Sequence, residues 1–169
     1  MNDRQPKSKR TLGAQLALAL SLLMTAAPTR ASASPAELLQ PVDRFVEAFN
    51  RWDLAYPEDV FTPDCVVVDI FPPFLWQGRG APQAWWRALA GDNAAEHARR
   101  AALHEHLTHG AVAALQQTDL SAKFDLPATL TYQRGGVSRT ITGRWIFTET
   151  PTARGWRITS HTWTSLSEQ

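Results

Sequence analysis

With one cysteine, Cys65, in 169 residues, the chain cannot build an intramolecular disulfide framework. Cys65 heads the run Cys65-Val66-Val67-Val68, where it reads as a small buried hydrophobe, and the local sequence supplies no base to make its thiol reactive. Basic residues are also scarce beyond the N-terminal stretch. Five of the 17 Lys and Arg and one of the 16 Asp and Glu fall in the first 33 residues, so the remainder carries 12 against 15, a net charge of −3 where the whole chain has +1. No Lys/Arg block follows, which removes support for sequence-independent phosphate binding and for nucleic acid as a partner. Internal repeats and low-complexity tracts are absent. So is the zinc pattern H-E-x-x-H. The run His104-Glu105-His106-Leu107-Thr108-His109 would place Glu105 and His109, or His106 and His109, on one side of a helix. It falls where a helix is expected to end, a place that suits histidine without a metal, so no metal or organic cofactor is expected.

What is present begins with a basic start, MNDRQPKSKR, an apolar run, LGAQLALALSLLMTAA, and the small-residue site Ala31-Ser32-Ala33. This is the layout of a secretory signal peptide, and Gln15 and Ser21 break the run short of a confident membrane span. The expectation is a leader over residues 1–33, a secreted or periplasmic location, no stable membrane insertion after cleavage, and one domain over residues 34–169.

Within that domain Leu38, Leu39, Val42, Val46 and Phe49 follow helical spacing, and Pro41 is expected to start the helix rather than sit inside it. Cys65 to Asp69 reads as a strand, the prolines at 72 and 73 as an extended loop, and Ala81 onward as a second helix interrupted near Gly91-Asp92-Asn93. After Gly110 strands take over. Phe124, Leu126, Ala128, Leu130 and Tyr132 alternate with polar residues, Arg134-Gly135-Gly136 marks a hairpin, and two further strands follow around Trp145 and Trp156. Helices followed by an antiparallel meander predict an α+β domain. Trp156 and Ile158 oppose Trp163 in strand parity. Either a bulge flips the register between them or the second sheet face is covered by a homodimer partner, the reading preferred here.

The segments VDRFVEAFNRWD, FTPDCVVVD, RWIFTET and GWRITSHTWTS, in that order, resemble the nuclear transport factor 2-like superfamily, in particular its SnoaL-like domain members. The resemblance runs from about Pro35 to Leu166 and implies a cone-shaped, cystatin-like α+β fold, a curved antiparallel sheet wrapped around N-terminal helices and an apolar pocket. It implies no single activity: polyketide cyclases, ketosteroid isomerases, dehydratases, epoxide hydrolases and binding domains share the fold.

Asp69 is a carboxylate set between a β-branched run and Phe71, Phe74 and Trp76, a composition that would exclude water and raise its pKa. The resemblance implies a pocket carboxylate acting as base, and Asp69 matches by position. The plainer reading has it accepting backbone hydrogen bonds from the DIFPP turn. His161 could exchange protons in the cavity, but an unbulged strand would turn it outward. Tyr132 could donate a phenolic hydrogen bond or serve the core. Phe71, Trp76, Trp85, Trp86, Trp145, Phe147 and Trp163 are the expected pocket wall. The function expected is binding of a small, mostly apolar molecule. The alternatives are an isomerase, cyclase or dehydratase with Asp69 as base, and a non-catalytic dimerisation module whose cone is filled by its own tryptophans.

Overall fold

Ser34 decides where the first helix begins. Its hydroxyl accepts from the Glu37 amide while the Glu37 carboxylate accepts from the Ser34 amide at 2.8 Å, a reciprocal capping box. In this computed structural model, which describes residues 32–51 and 55–169, helix α1 therefore spans Pro35–Asn50. The start expected at Pro41 is corrected: Pro41 lies inside α1 and is buried. The cap at Ser34 and the burial of Leu38 outweigh the one backbone hydrogen bond that Pro41 cannot make. Of the leader expected over residues 1–33, residues 1–31 lie outside the described residues. No helix among the described residues is long and apolar enough to cross a membrane.

The remaining elements are β1 Phe61–Val68, β2 Leu75–Trp76, α2 Ala81–Ala90, α3 Ala94–Ala101, β3 His106–His109, β4 Ala113–Gln117, β5 Ala122–Arg134, β6 Val137–Thr152 and β7 Gly155–Glu168. The break expected near Gly91 is there, and Asn93 caps α3 by accepting from the Ala95 and Glu96 amides. The histidine run does not end a helix: α3 stops at Ala101, and His106 to His109 pair with β5 as a strand. Gly135 and Gly136, with φ of 61° and 77°, supply the left-handed backbone that the two-residue turn between β5 and β6 requires.

The strands form one curved, unclosed sheet in the order β2-β1-β7-β6-β5-β3, with β4 also on β5. The α+β, cystatin-like expectation holds, with one correction: β1 and β7 run parallel, so the sheet is mixed rather than antiparallel throughout. The helices meet one face of it, where Val42, Phe45 and Phe49 of α1 and Trp85 and Trp86 of α2 pack with Phe124, Trp145 and Phe147.

Two register shifts in β7 resolve the parity conflict of the sequence. Glu149 pairs with Ile158 but Thr148 pairs with Ser160, leaving Thr159 as an extra residue whose hydroxyl donates to the Thr148 carbonyl at 3.0 Å. A second shift makes Leu166 extra. Beyond Thr159 the inward phase changes, so His161 sits opposite Phe147 and Trp163 opposite Trp145. The outward orientation of His161 on an unbulged strand is therefore corrected; it is 1% exposed. The bulge accounts for the opposed parities within a single chain.

Glu149 shares the inward parity of Trp145 and Phe147 and is fully buried, with neither carboxylate oxygen hydrogen-bonded. Burial pushes its carboxyl up from 4.5 to about 9, with Arg44 pulling the other way. A group raised in the folded state stabilises fully below its unfolded value and loses that contribution as pH rises through its folded value. Glu149→Gln is therefore expected to raise the melting temperature relative to the parent by an amount that grows between about pH 5 and pH 9. Thermal unfolding across that range checks it, and a constant difference would mean that Glu149 does not take up a proton on folding.

Candidate functional site

The pocket is assembled from the residue where β1 stops. The Asp69 amide donates to the Phe74 carbonyl at 3.1 Å, closing the proline loop, and Val68 and Val67 pair with Leu75 and Trp76 beyond it. This tight return fixes the Asp69 side chain. Its Oδ1 accepts from the Ile70 amide at 2.7 Å and its Oδ2 from the Trp85 indole Nε1 at 2.8 Å. Beside it opens a cavity of about 290 Å³. The turn-bracing and pocket readings of Asp69 thus hold together, one oxygen tied to main chain and the other to an indole of the cavity wall. Burial raises the Asp69 pKa, while the Trp85 and Ile70 hydrogen bonds and the charge of Arg100 pull it back.

His161 lies in the same wall, its ring edge-on to Trp85 with centroids 4.6 Å apart. Its Nδ1 accepts from the Trp145 indole Nε1 at 3.1 Å, which places the proton on Nε2, and Nε2 has no partner. Burial lowers its pKa to about 3. The expectation that it exchanges protons near neutral pH is corrected: the ring is a neutral, oriented donor. Tyr132 also lines the cavity, but its hydroxyl donates to Glu168 at 2.5 Å in an exposed pair. That bond, more than burial, raises the Tyr132 pKa.

Of the expected wall, Phe71, Trp85, Trp145 and Trp163 face the cavity, whereas Trp76, Trp86 and Phe147 do not. These three are corrected to supports behind it: Trp76 packs on Phe71 at 5.0 Å, Trp86 on Phe45 at 5.8 Å, and Phe147 on Trp145 at 4.8 Å. Adjacent residues of a helix point in different directions, so Trp85 and Trp86 cannot share one role. Trp163 needs Gly143 across the sheet, because a Cβ there would come within 2.8 Å of its indole ring.

Two charged wall residues escaped the sequence reading. Arg100, in the last turn of α3, and Glu105, just before β3, both line the cavity and lie 3.8 Å apart, with side-chain exposures of 32% and 9%. The Arg100 guanidinium also stands 6.0 Å from the centre of the Phe71 ring. Burial raises the Glu105 pKa, with Arg100 opposing. The signal for Glu105 was the period-two pattern in which it shares parity with buried Leu107; helical spacing hid it. His109, considered as a ligand on a helix, instead meets Asp43 at 2.9 Å and fastens β3 to α1.

The unfolded His161 ring takes a proton near 6.5 and the folded ring only near 3, so this group stabilises above 6.5 and loses that contribution as pH falls toward 3. Its imidazole nitrogens are expected to hold the Nε2–H pattern from about pH 8 to about pH 5, read by nitrogen NMR with His161→Phe as the assignment control. A His161 midpoint inside that range would mean that the Trp145–His161 bond is not kept.

Structural comparison agrees with this architecture. An NTF2-like superfamily protein from Salmonella enterica serovar Typhimurium superposes with a TM-score of 0.58 at 16% identity, covering 79% of this chain and 91% of that one. An NTF2-like protein with a cystatin-like fold from Novosphingobium aromaticivorans gives 0.59 at 17% identity, with coverages of 78% and 81%. A hexachlorocyclohexane dehydrochlorinase, LinA type 2, gives 0.62 at 7% identity, with coverages of 79% and 86%. At such identities the likeness is one of fold. Among curated proteins none matches the chain. The family model described as a SnoaL-like domain matches residues 30–162. With sheet order, pocket and family model in agreement, this chain belongs to the SnoaL-like domain family.

Proposed function

We propose that the protein takes a small, mostly apolar carbonyl compound into its cone and moves a proton on carbon, with Asp69 as general base. The observation that carries this reading is the placement of Asp69. A carboxylate held by two N–H groups borders a cavity whose other surfaces are largely aromatic and aliphatic. Such a wall strengthens the interaction between a carboxylate and an acidic C–H by keeping water away, and the two donors aim the group. The open cavity supports a guest molecule over a cone filled by its own tryptophans. The layout of residues 1–33 supports export of the protein, which would place the chemistry outside the cytoplasm.

The probe is 1-indanone, a flat aromatic ketone with exchangeable protons beside its carbonyl. In deuterated buffer the folded protein is expected to speed exchange of those protons, followed by proton NMR. The rate should rise with pH through a midpoint above the ordinary carboxylate value of 3.8, because the base must be ionised and its pKa is raised. Asp69→Asn should lower the exchange by about a hundredfold or more while remaining folded. A folded Asp69→Asn variant that exchanges as fast as the parent would falsify the assignment.

A further inference from the structure

Among the described residues the exposed large apolar side chains gather at one end of the sheet. β1 runs parallel to β7, and β7 antiparallel to β6, so the end of β1, the end of β7 and the turn between β5 and β6 all lie together. Val68, Ile70, Phe74, Leu75, Val137 and Leu166 stand there, between 36% and 63% exposed; Leu115 and Leu120 lie elsewhere. The patch runs into the cavity, because Ile70 and its neighbour Phe71 also line the wall. The loop after β1 is not slack. The Phe74 amide donates to the Phe71 carbonyl at 2.8 Å, its carbonyl accepts from the Asp69 amide at 3.1 Å, and Phe71 packs on Trp76. Phe74 has a φ of 69°, a left-handed backbone that suits glycine and strains an aromatic residue. The loop thus holds its apolar side chains out in water, a cost that nothing within the chain offsets.

Charge divides along the same axis. From Ile70 to Gly91 the chain has no Asp or Glu, and Arg134 and Arg139 flank the Val137 turn with none between them. The carboxylates of this end have partners or are turned in: Asp69 faces Trp85, Glu105 is 9% exposed, and Glu168 takes the Tyr132 hydroxyl. Glu58 and Asp59 precede β1 and Asp119 precedes β5, at the opposite end. The projecting tips around the cavity mouth are therefore apolar and basic on a domain whose net charge is −3.

We propose that this end of the domain docks on a lipid bilayer with anionic headgroups, Ile70, Phe74 and Leu75 entering the acyl boundary while Arg134 and Arg139 meet the phosphates. Two protruding tips, rather than a groove, suit a fluid layer that closes around whatever enters it. Arginines beside them suit its negative surface. The contact is peripheral and needs no spanning helix, and no described helix could supply one. Because the patch continues into the mouth, a guest dissolved in the bilayer reaches the cavity without crossing water. That last step rests on the apolar guest of the proposed function; the docking itself does not.

The test is flotation with vesicles of equal parts phosphatidylcholine and phosphatidylglycerol, and with vesicles of phosphatidylcholine alone. The parent is expected to float with the mixed vesicles, less so at high salt and less with phosphatidylcholine alone. Phe74→Ser combined with Leu75→Ser should weaken binding to the mixed vesicles by about tenfold or more. Phe74→Gly removes the ring where glycine takes the backbone freely, and it serves if the double variant does not fold. Arg134→Gln with Arg139→Gln should cost about tenfold on mixed vesicles and far less on phosphatidylcholine. A folded parent that ignores both vesicles, or folded Phe74 variants that bind as the parent does, overturns the inference. Equal loss on both vesicles in the arginine variant overturns the headgroup contact. Sedimentation velocity without lipid guards against a second copy as the occupant: self-association that Phe74→Ser with Leu75→Ser abolishes, in a parent that does not float, overturns the bilayer. No carbonyl compound enters these assays, so their failure leaves the Asp69 reading standing. Loss of proton exchange in turn removes only the delivery of a guest and leaves the docking.

Discussion

A carboxylate in an apolar wall stays ionised only where donors point at it, and here the indole of Trp85 supplies the one that is not main chain. That single N–H ties three parts of the molecule together. Trp85 belongs to α2, reaches the loop that follows β1, stacks on Phe45 of α1 at 5.6 Å, and presents its ring to His161 of β7. A cavity wall built this way is stiff, since moving the acid would require moving a ring that the core already holds on several sides.

Low dielectric treats the buried ionisable groups according to their donors. Asp69 has two N–H partners and a distant cation; His161 has an indole donor on one nitrogen, which fixes its tautomer while burial keeps it uncharged. Glu149, on the inward parity of β6 away from the cavity wall, has neither donor nor close partner, and only protonation makes its burial tolerable. The same scaffold thus holds a carboxyl with two N–H donors, a neutral imidazole and a carboxyl with none, each answering burial with the partners its position supplies.

Much of the fold was legible because its signals are local. The run ending at Val68, the alternation from Phe124 to Tyr132 and the Gly135-Gly136 turn each announce an element through burial or backbone need. The start of α1 was also written in the chain, as Ser34 followed three residues later by Glu37, but Pro41 carried more weight in the reading than it does in the helix. Asp69 stood out as a charge among apolar residues, a contrast that survives without knowledge of tertiary structure. The inward face of His161 did not, because parity counting assumes an unbroken ladder, and only the conflict between Ile158 and Trp163 hinted at the break. Arg100 and Glu105 are only five residues apart, but the change from helix to strand between Ala101 and His106, which brings both to the cavity, was hidden by reading the histidine run as the end of a helix.

Thr159 and Leu166 are both surplus on β7, so that strand carries more residues than the stretch of β6 it faces. A longer ribbon laid along a shorter one must bow, and the vault over the cavity owes part of its depth to this difference in count. A homologue lacking the residue at 159 would keep Ile158, His161 and Trp163 on the same side, yet enclose a shallower chamber. Chamber depth and chamber chemistry can therefore drift separately, the first by changing the length of one strand and the second by exchanging the side chains along it.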